Sequence, residues 1–232
     1  MLNPASRGGA LSSRFAPIEK KLRCALGPIE VEQTRGPRDA ERIAREAVRA
    51  GVERIIVAGG DGTLSEVVTG LLGAGLGGYA KIAPLALGTG GDLLRNFGAT
   101  RQVDAAIERI SRGKVRCVDA GRARFHDSQG RERTTYFLNV ASLGVSGWVT
   151  KLANESPKML GGGLSFLLAT LRALVHYRPL SVALEIDGTP FFEGPLTLAT
   201  AANGRFFGGG MQVAPQARLD DGLLDVVVVS GL

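Results

Sequence analysis

The run Arg54-Ile55-Ile56-Val57-Ala58 is followed by Gly59-Gly60-Asp61-Gly62-Thr63, and then by Leu64, Val67, Val68, Leu71 and Leu72. The first five residues are short, apolar and ended by glycine, as for a strand buried on both faces of a parallel sheet. The apolar positions after the glycines recur at intervals of three and four, which marks one face of an amphipathic helix. Backbone N–H groups at such a junction can cradle phosphate, because no side chain stands in the way and a helix N-terminus favours anions. Thr63 can cap the helix or bond a phosphate oxygen. Asp61 has two readings: a plain Gly-Asp turn at a helix start, or a carboxylate that holds Mg²⁺ or orients a hydroxyl beside phosphates. The run is not a P-loop, since no Gly-Lys-Ser/Thr follows, and it is not GxGxxG.

The same alternation extends on both sides. Upstream, Ala40, Ile43, Ala44, Ala47 and Val48 predict a helix over Arg38 to Ala50, with Gly51 as its stop. Downstream, Ile82 to Leu87 reads as a second strand, with Pro84 marking a strand start or an edge. Leu93 to Phe97 is helical in pattern, and Val103, Ala106, Ile107 and Ile110 predict a further helix closed by Gly113. Strand and helix in this order argue for a parallel sheet with crossover helices. A second glycine loop, Leu87-Gly88-Thr89-Gly90-Gly91-Asp92, follows the second strand. Both loops then fall at the carboxyl edge of the sheet, where ligands bind in such folds. A third polar turn, Asn3-Pro4-Ala5-Ser6-Arg7-Gly8-Gly9, opens the chain.

After about residue 118 the pattern changes. Tyr136 to Ala141, Ser181 to Ile186, Leu196 to Ala202 and Leu224 to Val229 read as strands, and Asp187-Gly188 as a turn between two of them. Phe125 to Arg133 reads as an exposed hairpin tip. One helix is expected from Leu164, Leu167, Leu168, Leu171 and Val175. A fourth glycine-rich segment runs from Asn203 through Gly208-Gly209-Gly210-Met211 to Ala214-Pro215, followed by Asp220-Asp221-Gly222-Leu223-Leu224-Asp225. Its triple glycine permits tight packing or close ligand approach. Its acidic pair fits either a plain turn or a divalent-ion site.

Composition narrows the class. At 232 residues the chain is long enough for its own core, and it holds about one and a half average domains. Its 33 glycines are about twice the usual share of roughly 7%, and they cluster between apolar runs as turn and ligand loops do. A net charge of +6 is compatible with a nucleotide, an anionic membrane surface or nucleic acid, and selects none of them. Cys24 and Cys117 stand alone, which suits a reducing compartment and no zinc site. No leader pattern opens the chain, and the longest apolar helix candidate is short and contains Arg172. His126 and His176 lack metal-spaced partners, and no GxSxG elbow exists. Trp148 and Phe206-Phe207 could line a lipid cleft or pack a core.

Taken in order, Asn3-Pro4, Gly59 to Thr63, Leu87 to Asp92, Asn203 to Pro215 and Asp220 to Val226 resemble the diacylglycerol kinase catalytic family, which includes bacterial lipid kinases and sphingosine and ceramide kinases. The resemblance covers essentially the whole chain. It implies an α/β nucleotide-binding domain like that of NAD kinases over residues 1–117, with a parallel sheet and a GGDGT loop. A β-sandwich-like lipid-substrate domain over 118–232 is implied beside it. It implies ATP in the cleft, held by Asn3, Pro4, Ala5, Ser6 and Arg7 of the first loop, by Thr34, and by Gly59, Gly60, Asp61, Gly62, Thr63, Leu64, Ser65 and Glu66. Gly88 and Thr89 complete that set. It implies Mg²⁺ on Asp221 and on the carbonyls of Arg218 and Leu223. Asp61 is the catalytic candidate. The partners implied are a lipid substrate at the membrane surface and no nucleic acid, with a homodimer left open, and the location implied is the cytoplasm, peripheral at the inner membrane surface.

Three departures qualify the match. Arg7 stands where glycine is usual and Gly91 where asparagine is usual; only Met1-Leu2 precedes Asn3-Pro4 where the family has a hydrophobic first strand, and a later Asp-Gly-Glu segment carrying the general base is expected outside Met1 to Leu232. Rival readings are an NAD kinase-like enzyme, which shares a GGDG loop, and an inactive nucleotide-binding fragment.

Overall fold

Leu2 bridges two neighbours in parallel, Gln33 on one side and Ala58 on the other. Its N–H donates to Glu32 O and its carbonyl accepts from Thr34, while on the far side Ala58 accepts from Asn3 N and donates to Met1 O. The first three residues are thus an inner strand of a parallel sheet. The computed structural model describes residues 1–6, 11–88, 91–99, 102–149 and 177–231.

The next strands are β1 (Arg54–Gly59) and β2 (Lys81–Ala86), paired in parallel from Arg54↔Lys81 to Gly59↔Ala86. Odd-numbered residues of β1 turn their backbone to β2, as Glu53 O and Gly59 O accepting from Lys81 and Leu87 show. The even-numbered ones turn to residues 1–3. Pro84 fits because its missing N–H points away from β1, and no other strand among the described residues pairs with β2. The edge expected from Pro84 is present, in the middle of the strand rather than at its start.

Both faces of this sheet are covered, which is why its strands read as unbroken apolar runs. Ile55 and Val57 face α2 (Asp39–Arg49) and α3 (Asp61–Gly73), packing with Ala40, Ala44, Leu64, Val67 and Leu71. Leu2 and Ala58 face α1 (Leu11–Leu26) and α5 (Val103–Arg112), packing with Phe15, Leu22, Leu85 and Ile107. Helix α1 is absent from the sequence reading. Its stripe Phe15, Ile18, Leu22 has helical spacing, but Pro17 lies within it. Between β2 and α5 lies the five-residue α4 (Asp92–Asn96), started by Gly91 in the left-handed region at φ 86°. Gly113 closes α5 at φ 68°, as expected. A cavity of about 510 Å³ opens at the amino end of the strands, lined by Phe15, Leu22, Ile29, Ile43, Ile55 and Met1.

The second half is built on β7 (Thr189–Ala202), which pairs antiparallel with β5 (Val140–Gly144), β6 (Leu180–Ile186) and β10 (Asp225–Ser230). The β6–β7 hairpin turns on Asp187 and Gly188, both at positive φ (50° and 76°), as the Asp-Gly pair predicts. A separate hairpin pairs β3 (Gly121–His126) with β4 (Glu132–Phe137), so the exposed tip is narrower than Phe125 to Arg133. The single strand expected over Tyr136 to Ala141 is two. β4 belongs to the hairpin and β5 to the larger sheet, and the chain changes sheets at Leu138-Asn139, where Asn139 O accepts the N–H groups of Asn203 and Gly204. The hairpin lies on α3: Ser65 Oγ donates to Tyr136 O at 2.9 Å, and Tyr136 N donates to Thr69 Oγ1 at 2.9 Å. Two short strands, β8 (Phe206–Phe207) and β9 (Met211–Gln212), frame the triple glycine. The helix expected around Leu164 to Val175 lies outside the described residues.

Candidate active site

The parallel strands end together, so their loops converge. Asn3 lies beside Ala58 on the sheet, and its amide Nδ2 donates to Thr63 Oγ1 at 2.7 Å. Its Oδ1 accepts the N–H of Ala5 at 3.0 Å, which shapes the Asn3-Pro4-Ala5-Ser6 turn. Thr63 is buried and its hydroxyl belongs to this bond, so it does not cap α3; Gly60 holds that position with no side-chain cap. Thr34, also buried, ends its strand beside Leu2. Ser65 is committed to Tyr136, as above. Arg7 and Thr89 lie outside the described residues.

Gly60 and Gly88 bring the two glycine loops into contact. A Cβ on Gly88 would fall 2.6 Å from Gly60 Cα, and one on Gly59 would fall 2.7 Å from Thr63 Oγ1. About 10 Å³ remains between the loops, lined by Gly60, Asp61, Gly88 and Gly91. That space is too small to hold a nucleotide between the loops. Gly62 is different, because a Cβ there meets nothing within 4 Å. The start of the 13-residue α3 is open at that point, and the first N–H groups of a helix have no partner within it. That is the electrostatics a phosphate needs.

Asp61 has a duty the sequence did not show. Its Oδ2 accepts the N–H of Gly91 at 2.9 Å and of Asp92 at 3.0 Å, so it caps α4 and ties the two loops together. Its second oxygen, Oδ1, is left over from those bonds. Asp92, largely buried, extends the connection: its Oδ2 accepts from Gly209 N at 2.8 Å. Asn96 accepts the N–H of Arg205 at 2.7 Å and donates to Asn139 Oδ1 at 3.1 Å. Asn203, fully buried, donates to Asp119 O and Leu138 O. The part played by Asp92, Asn96 and Asn139 was not read from the sequence. The bonds from Asp92 to Gly209, Asn96 to Arg205 and Asn96 to Asn139 span 43 to 117 residues, and polar residues carry no periodic signal.

Arg218, Asp221 and Leu223 share an exposed turn remote in sequence from the loops. Asp221 Oδ1 accepts Leu223 N at 3.1 Å, Asp119 Oδ2 accepts Gly222 N at 2.7 Å, and Arg218 lies 3.6 Å from Asp220. Two carboxylates thus flank the peptides of Gly222 and Leu223. Among the described residues no three His, Cys, Asp or Glu side chains converge on one point, so a cation at this turn would depend on main-chain carbonyls.

The family pattern described as diacylglycerol kinase catalytic domain matches residues 1–123, and that described as YegS C-terminal NAD kinase beta sandwich-like domain matches residues 139–232. The chain belongs to the diacylglycerol kinase catalytic-domain family. A protein of Mycobacterium tuberculosis (strain ATCC 25618 / H37Rv) named diacylglycerol kinase is 31% identical over 230 residues, covering 98% of this chain and 71% of that protein. A Salmonella arizonae protein named "probable lipid kinase YegS" is 34% identical over 207 residues, covering 88% of this chain and 65% of its own length. A crystal structure of a diacylglycerol kinase from Bacillus anthracis superposes with a TM-score of 0.71 at 29% identity, over 99% of this chain and 71% of that one. The named relatives are lipid kinases, so this is a lipid-kinase chain with an α/β part and a β-sandwich-like part. Membership in a kinase family implies ATP as phosphate donor and a lipid as acceptor. No helix among the described residues is long and apolar enough to cross a membrane.

Proposed function

We propose that this chain transfers the γ-phosphoryl group of ATP to the hydroxyl of diacylglycerol or a related lipid. The observation that carries this reading is the contact of Gly60 with Gly88, with Asp61 tying the two glycine loops, beside the open start of α3 at Gly62. Residues 1–117 form the ATP-binding part and residues 118–232 the lipid-binding part. The N–H groups of Gly62 and Thr63 take phosphate oxygens, Asn3 fixes Thr63 beneath them, and Thr34 closes the side of the sheet. Asp61 suits Mg²⁺ through Oδ1, since Oδ2 already accepts two N–H groups. An ion held there would supply charge neutralisation at the phosphates, and phosphoryl transfer depends chiefly on positioning and electrostatics. The Asp221 turn would hold a second, structural Mg²⁺ with the carbonyls of Arg218 and Leu223. The protein works at the cytoplasmic face of the membrane, and its net charge of +6 suits an anionic surface.

Transfer of labelled phosphate from Mg·ATP to dioleoylglycerol in mixed micelles tests the reading, with NAD as the competing acceptor. Label in the lipid is expected. Label in NAD instead, or no detectable binding of ATP or ADP by calorimetry, would overturn it.

A further inference from the structure

Gly208, Gly209 and Gly210 all sit at positive φ, at 65°, 91° and 116°. A loop of three such glycines has little stiffness of its own. It lies against α4. Gly209 donates its N–H to Asp92 Oδ2 at 2.8 Å, and its carbonyl accepts from Arg95 Nη2 at 3.4 Å. Arg95 Nε donates in turn to Asp92 Oδ1 at 3.1 Å. Both main-chain polar groups of Gly209 are therefore held by an acid–base pair three residues apart on a single helical turn. A Cβ on Gly210 would stand 3.1 Å from Arg95 Cζ, so a larger residue would push the loop off the guanidinium. The Asp92 side chain is only 8% exposed, which shields its bonds to Gly209 N and Arg95 Nε, whereas the Arg95–Gly209 carbonyl bond lies at the surface.

The same turn of helix faces the other loop. Asp92 N donates to Asp61 Oδ2, so a single residue contacts the Gly209 loop through its carboxylate and the GGDGT loop through its backbone.

We infer that Arg95 is a positioning residue for phosphoryl transfer: with Asp92 it clamps Gly209 and so sets the glycine loop of the lipid-binding half relative to Asp61. This rests on the lipid-kinase reading above. Transfer across a junction between two halves requires the groups on each side to be held within a fraction of an ångström to about one ångström, and a misplacement of that size costs up to a hundredfold in rate. The flexible glycine loop gains that definition from the Arg95 fork, which spans from carboxylate to carbonyl. A lysine carries the charge but cannot span both.

The test compares Arg95→Met and Arg95→Lys with Arg112→Met, which breaks an exposed pair with Glu108 on α5. Initial rates with ATP and dioleoylglycerol micelles give kcat and both KM values. Hydrogen exchange is followed over residues 59–64 and 206–211. Arg95→Met is expected to lower kcat roughly ten- to hundredfold with the KM for ATP within about twofold, Arg95→Lys to fall between it and the parent, and Arg112→Met to match the parent. Exchange in Arg95→Met is expected to quicken in both segments. Retained kcat, or faster exchange confined to 206–211, would overturn the inference. If the parent protein phosphorylates no lipid, the kinase reading fails, while the exchange pattern still decides whether the clamp couples the two loops. If Arg95→Met unfolds below the assay temperature, Arg95→Lys carries the same readouts.

Discussion

The carboxylate of Asp61 caps the helix that Asp92 begins, across 31 residues of sequence, with Oδ2 3.0 Å from the Asp92 nitrogen. A second N–H, from Gly91, reaches the same oxygen at 2.9 Å. Asp61, proposed above to hold Mg²⁺ through Oδ1, is thus a structural acceptor through Oδ2.

The two roles can be separated by substitution. Asp61→Ala leaves two partly buried N–H groups without their acceptor, and we expect a loss of about 1–3 kcal/mol in urea unfolding. Asp61→Asn keeps an acceptor oxygen and is expected to cost less than about 1 kcal/mol. Both should abolish phosphate transfer, because each removes the charge that suits Mg²⁺. Parental turnover in Asp61→Asn would mean that the charge is not used.

Two glycines of the loops should behave in opposite ways. Gly88→Ala drives a Cβ to 2.6 Å from the Gly60 Cα, where only backbone movement gives relief; overpacking of this kind costs about 1–3 kcal/mol. Gly62→Ala meets nothing within 4 Å and lies in the first turn of α3. It should leave stability unchanged or raise it slightly, since alanine suits a helix better than glycine by up to about 1 kcal/mol. Yet its methyl group would occupy the open start of α3 where the proposed function puts phosphate, so ADP affinity measured by calorimetry should fall. Unchanged affinity in Gly62→Ala would place the phosphates elsewhere.

The α-ammonium of Met1 donates to Ile56 O at 3.0 Å. Burial pushes its pKa below the ordinary 8.0, partly offset by the nearby Glu32 carboxylate. The folded state then binds this proton less readily than the unfolded chain, so unfolded molecules hold more protons between the lowered value and 8.0. Stability should rise with pH across that window. In the polypeptide beginning at Met1, N-terminal acetylation removes the charge and keeps an N–H for Ile56. It should raise Tm at neutral pH and flatten this part of the Tm–pH curve. Parallel curves for the two forms would refute the assignment.

Asp127 at the β3–β4 tip has its pKa held down at about 2, first by the N–H of Arg131, with help from the Arg133 guanidinium, the N–H of Gln129 and the Arg131 guanidinium. A depressed carboxylate contributes stability above its unfolded value of 3.8 and loses it as pH falls through about 2. The Tm difference between the parent and Asp127→Asn should therefore shrink over that range. A difference that stays constant with pH would show that the charge of Asp127 is not what holds the tip.

Much of the α/β half was legible because its signals are local. The apolar spacing in Ala40 to Val48 and in Leu64 to Leu72 lies within single helices, and the glycines after Ala58 and Leu87 punctuate single strands. Helix α1 escaped because Pro17 interrupts a stripe that is otherwise regular. The division of Tyr136 to Ala141 escaped for a different reason: the residues are strand-like throughout, and only the partners of each part, α3 and β3 for one and β7 for the other, break the run at Asn139.

The sequence alone determined the crossover pattern, the placement of two glycine loops at one sheet edge, the Asp-Gly hairpin and the family, because periodicity, turn chemistry and ordered motifs need no knowledge of distant contacts. Only the tertiary structure decided what the polar residues of those motifs touch. It gave Thr63 to Asn3 and one oxygen of Asp61 to α4, and it set the triple glycine against Arg95. These are hydrogen bonds between residues from 30 to 117 positions apart, satisfied because a partly buried polar group left unpaired is costly. Their partners are chosen by how the two halves pack, which no local stretch of the chain encodes.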